Sequence, residues 1–106
     1  MTSQISAAAV ILLAASIAGP ALSQGSGADI YKAKCAVCHG ADGLAATPMA
    51  KNMKIQSFKA PAMVKASDAQ FFASTKNGKG TMKGYAGKLT DAQIKDVVAY
   101  IRTLQK

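Results

Sequence analysis

Two cysteines and one histidine are all that this 106-residue chain holds of either type, and they stand together as Cys35-Ala36-Val37-Cys38-His39. Thiols three residues apart lie on one turn of backbone, so each can form a thioether with one of the two vinyl groups on adjacent pyrroles of a haem. His39, directly after the second thiol, is carried beneath the ring, where its imidazole can bind the iron as proximal ligand. This is the C-x-x-C-H spacing of covalent c-type haem attachment.

The same residues have rival readings. Structural zinc needs four Cys or His ligands in a closed tetrahedron, and this chain offers three, with no second ligand pair downstream. A redox-active C-x-x-C of thioredoxin type expects a βαβ setting, whereas the flanks here read as helix and loop. A plain Cys35–Cys38 disulfide is the remaining alternative. Outside the cluster there is no spare Cys or His and no Glu, and the five acidic residues, all Asp, are scattered. No other catalytic constellation is available, which speaks against an enzyme.

Residues 1–23 have the pattern of a secretory signal: an apolar run from Ala7 through Ala18, a Gly19-Pro20 break, and the small-x-small site Ala21-Leu22-Ser23 before Gln24. No Lys or Arg precedes the run, leaving the terminal amine as the only positive charge of the n-region. The alternative is a retained membrane anchor, but the apolar stretch is shorter than the roughly 20 residues a span requires. Export would place residues 24–106 in the periplasm as one domain. All 13 Lys and Arg fall in that part, so it keeps the net charge of +8. A domain this short is marginal at burying a core and commonly needs a staple, which a covalent haem would supply. Nucleic acid is not an expected partner, because no binding motif accompanies the charge.

These residues must be positioned by helices. Ala28 to about Cys38 reads as a helix with Asp29 near its positive end and Ile30, Ala33 and Val37 on one face. From Gly40 to Ala66 there is little periodicity, as in a loop wrapped round a cofactor, with Thr47-Pro48 opening one short turn of helix. Ser67-Asp68-Ala69-Gln70 is a capping box, and it starts a helix that places Phe71 or Phe72 inward and stops at Asn77-Gly78. Gly78 to Gly87 is too rich in glycine for a regular element. A second box, Thr90-Asp91-Ala92-Gln93, opens the last helix, whose apolar stripe is Ile94, Val97, Val98, Ile101 and Leu104. No stretch reads as a strand, and the expected class is all-α.

The order of these parts resembles the class I cytochromes c, in particular the small bacterial periplasmic monohaem ones: a helix ending in C-x-x-C-H, a glycine-rich loop with one Met, and a final helix reading Leu-Thr-Asp-x-Gln-Ile-x-x-Val-Val-x-Tyr-Ile. The resemblance is strongest at Cys35 to Gly40 and Lys76 to Leu104. It implies three to five helices wrapped around one covalently bound haem c, with the first and last helices crossed. It also implies thioethers at Cys35 and Cys38, and iron held by His39 on one side and a Met on the other. Met82, on the glycine loop, matches the family position, while Met49, Met53 and Met63 stay as alternatives. The family usually has proline directly after that Met, and this chain has Lys83, which leaves the loop less restricted. Pro48 matches a family proline whose carbonyl accepts a hydrogen bond from the ligand histidine, and Tyr85 matches an aromatic after the Met.

The resemblance implies a soluble, monomeric, single-electron carrier. His/Met ligation saturates the iron and raises its potential. Lys76, Lys79, Lys83 and Lys88 around the loop, with Lys32 and Lys34 before the attachment site, would steer it to acidic docking surfaces on redox partners. A solvated basic surface is the plainer reading of the same charges. Two other functions stay open: a haem sensor or peroxidase if Met82 leaves the iron, and a fixed electron-transfer subunit of a membrane oxidase or dehydrogenase, in which case membrane contact comes through the partner complex.

Overall fold

A computed structural model describes residues 27–106 of the chain; the expected signal segment and its cleavage site lie outside the described residues. The chain is already helical at residue 27 and remains so to residue 39 (α1). Inside α1, Tyr31–Cys35 is wound as a π-helix, with the Ala36 N–H reaching back to the Tyr31 carbonyl. Single π-turns are uncommon and cluster at functional sites.

The wide turn also corrects the expected buried face. Tyr31 has 0% of its surface exposed and Cys35 is buried, whereas Val37 is 62% exposed and Ala33 faces solvent. Hydrogen bonds that span five residues in place of four widen the turn and rephase the helix, so Tyr31 and Cys35 take inward positions in place of Ala33 and Val37.

After Gly40 come two short helices, α2 (Pro48–Met53) and α3 (Pro61–Lys65), each with its proline in the first turn, where a missing N–H costs nothing. The first was expected at Thr47-Pro48. The second fell within a stretch read as loop, because five residues are too few to show a period. The two capping boxes form as their sequences require, Ser67 with Gln70 opening α4 (Asp68–Asn77) and Thr90 with Gln93 opening α5 (Asp91–Leu104). Among the described residues there is no strand, only isolated bridges at Lys79–Met82 and Ala86–Leu89. The fold is all-α.

Helices α1 and α5 cross at Gly27. A Cβ there would sit 2.5 Å from the Asp96 carbonyl oxygen, so only glycine permits the approach. Past the crossing, Tyr31 packs on Tyr100 with ring centroids 5.2 Å apart. Ile94, Val97, Val98 and Ile101 of α5 are buried, with Leu104 partly so. Phe71 turns into this core, while Phe72 lies half-buried beneath the Lys76 ammonium. Arg102 fastens the α3–α4 junction to α5: its guanidinium lies over Phe71 and donates to Asp68 Oδ1 at 2.8 Å and to the Ala66 carbonyl at 2.6 Å.

Candidate functional site

The last turn of α1 carries Cys35, Cys38 and His39, and the surrounding chain holds it from three directions. The Tyr31 hydroxyl donates to the Gly40 carbonyl at 2.6 Å, closing the turn behind His39. Thr47 Oγ1 caps α2 by accepting from the Ala50 N–H and donates to the Cys38 carbonyl, both at 3.0 Å. The Tyr85 hydroxyl, from the glycine-rich loop, donates to the Lys34 carbonyl at 3.2 Å. Burial raises the pKa of both tyrosines, so each hydroxyl keeps its proton as a donor.

Cys35 is buried and Cys38 half-buried, and no disulfide joins them. Burial pushes the Cys35 thiol up to about 11, Cys38 adding to the rise and Lys34 opposing it. His39 stacks on Phe58, with ring centroids 4.7 Å apart and planes 19° apart. Burial lowers its pKa, favouring the neutral imidazole that a metal requires. Its Nδ1 is buried and has no hydrogen-bond partner. A buried nitrogen left unpaired is uncommon and asks for a reason. Two cysteines one turn apart, beside a buried imidazole whose neutral form burial favours and whose Nδ1 no protein group occupies, fit a covalently attached haem. Among the described residues no group of three or more Cys, His, Asp or Glu is arranged to hold a bare metal ion.

Comparison with known proteins agrees with this geometry. Residues 23–101 match the family described as cytochrome c oxidase, cbb3-type, subunit III. The chain is 36% identical to cytochrome c6 of Synechocystis sp. over 71% of its own length and 60% of that protein's. It is 33% identical to cytochrome c6 of Parathermosynechococcus lividus over 72% of this chain and 84% of the relative. Among solved structures, the KustC0563 c-type cytochrome superposes with a TM-score of 0.69 at 27% identity, covering 76% of this chain and 98% of that one. This chain belongs to the class I c-type cytochromes. Its cofactor is therefore a covalently bound haem c with iron.

The remaining site residues of the cytochrome fall as follows. Met82 is half-buried on the loop, which begins with a tight turn in which Lys79 and Met82 exchange both backbone hydrogen bonds, at 2.9 and 3.0 Å. Met63 packs against the core. Met49, 44% exposed, has its sulfur 3.3 Å from the Cys38 thiol. Pro48 opens α2 beside the attachment turn, and no bond from His39 Nδ1 to its carbonyl is formed. Tyr85 packs against the core and reaches α1 through its hydroxyl.

Three contributors to the site were missed in the sequence. Tyr31 was hidden by the π-turn, which no simple period reveals. Phe58 could have been found, being the one aromatic residue between Gly40 and Ala66. Thr47 was seen as a helix opener, but its bond to Cys38 joins residues nine apart across a loop and has no local signature.

Proposed function

We propose that this cytochrome is a soluble, exported, single-electron carrier in which Cys35 and Cys38 hold the haem through thioethers and His39 and Met82 bind its iron. Bound there, haem c supplies a one-electron ferric/ferrous centre. His39 offers a neutral imidazole whose plane is buttressed by Phe58. Met82 offers a thioether, which favours the ferrous state and raises the potential. With His39 and Met82 both holding the iron, no position would be left for a substrate, as befits a carrier and not an enzyme. The observation that carries this reading is the attachment turn: two cysteines and a buried imidazole on a stretch of backbone whose carbonyls are held by Tyr31, Thr47 and Tyr85.

Among the methionines, Met82 has the best support, since its loop is tied to the attachment helix through Tyr85, whereas Met63 is engaged in the core and Met49 belongs to the α2 side of the turn. The family match begins at residue 23, which supports a leader over residues 1–23 and a mature domain over 24–106. No helix of the described residues is long and apolar enough to cross a membrane. The partners are redox proteins with acidic docking faces, met through Lys32, Lys34, Lys79, Lys83 and Lys88, all exposed. Lys76 is withdrawn from that set by its 3.1 Å ion pair with Asp91 and its place over Phe72.

The test is spectroscopic. The oxidised protein, matured in a periplasm, should show the weak red Met-to-iron band, and Met82→Ala should abolish it and open the reduced form to carbon monoxide at neutral pH. The potential should fall by on the order of 0.2 V, within the roughly 0.8 V span that axial ligands set. Carbon monoxide binding by the wild type would instead favour the sensor or peroxidase reading. One finding favours a second function: the matched family's description names an oxidase subunit, so co-purification with a large membrane complex would make this cytochrome a fixed electron-transfer subunit.

A further inference from the structure

The loop bearing Met82 is rich in glycine, yet it is not slack, and each of its restraints has an identifiable partner. Its first half is closed by the Lys79–Met82 turn. Its second half is pinned to the end of α4, the Tyr85 and Ala86 N–H groups donating to the Thr75 and Lys76 carbonyls at 2.9 and 3.0 Å. Gly84 makes that seat possible, because a Cβ there would meet the Lys76 carbonyl oxygen at 2.6 Å.

All of these bonds hold the loop to itself or to α4. Among the described hydrogen bonds, one joins it to the helix that carries Cys35, Cys38 and His39: Tyr85 Oη to the Lys34 carbonyl, across 51 residues. Lys34 is the residue immediately before Cys35, inside the π-helical turn. A restraint placed there fixes the distance between the loop and the attachment turn, which neither the Lys79–Met82 turn nor the α4 seat can do.

We propose that Tyr85 is the positioning residue that holds Met82 in register with the attachment turn, acting through its hydroxyl on the Lys34 carbonyl. This rests on the assignment of Met82 as axial ligand. The ring of Tyr85 packs against the core whether or not it bears a hydroxyl, so Tyr85→Phe removes the latch and keeps the packing.

The experiment is a titration of the oxidised, haem-loaded protein with imidazole, followed by loss of the Met-to-iron band or by the Soret shift. Imidazole competes with the thioether for iron, so its apparent affinity reports how firmly Met82 is held. Tyr85→Phe should bind imidazole about two- to fivefold more tightly, the range expected for losing one exposed hydrogen bond. The same substitution in a Met82→Ala background should leave imidazole affinity unchanged, because the latch then has no ligand to hold. General loosening of the fold would raise affinity in both backgrounds. Equal affinity for wild type and Tyr85→Phe, or an equal effect in both backgrounds, overturns the positioning role alone. A wild-type spectrum that Met82→Ala leaves unaltered overturns the ligand assignment and the latch with it.

Discussion

At the scale of residues, Tyr31 shows how a side chain far from the reacting atoms can decide the geometry of a haem site. It has no exposed surface, and its hydroxyl satisfies the carbonyl of Gly40 one residue past the histidine. Tyr31→Phe would keep the ring and leave the Gly40 carbonyl with the Gly43 N–H as its donor, so unfolding of the haem-loaded protein in denaturant should show a loss of about 0.5–1.5 kcal/mol; an unchanged midpoint would contradict the bond's importance. The candidates Cys35, Cys38, His39 and Met82 stand out in the sequence because the chemistry proposed for them is tied to a short spacing or to a distinctive loop. Tyr31 and Thr47 do not, because what they do depends on partners nine residues away that no local pattern specifies. Lys76 was legible as a charge but not as a paired one, since its Asp91 partner lies 15 residues on, across the loop.

At the scale of elements, the helices that announce themselves are those with a cap and a stripe. Both capping boxes and the α5 stripe formed as read, because the signals are local and mutually consistent. The face of α1 and the existence of α3 were missed for opposite reasons, a π-turn that breaks the period in one and too short a length to establish a period in the other. The crossing of α1 with α5 turns on Gly27. Gly27→Val would drive a side chain into the Asp96 backbone and should cost about 1–3 kcal/mol as overpacking, visible as a lower thermal midpoint of the haem-loaded protein. Arg102→Lys should be destabilising as well, because an ammonium cannot reproduce a planar fork that meets Asp68 and the Ala66 carbonyl while lying over Phe71.

At the scale of the whole molecule, a net charge of +8 on so small a chain sets up a field felt beyond any single contact. Electron transfer with an acidic redox partner should slow about tenfold or more between about 0.01 M and 0.15 M salt, as the screening length shrinks from about 30 Å to about 8 Å; a salt-independent rate would assign the lysines to solubility alone. Charge, however, would only guide the molecule to its partner; the proposed carrier role depends on a haem bonded at the end of α1. Intact mass spectrometry of the denatured protein, after maturation in a periplasm, tests this most directly. The account predicts the polypeptide mass plus one haem that survives denaturation and extraction, and loss of that stable attachment in a Cys35→Ala, Cys38→Ala variant. A wild-type protein running at its bare polypeptide mass would contradict it.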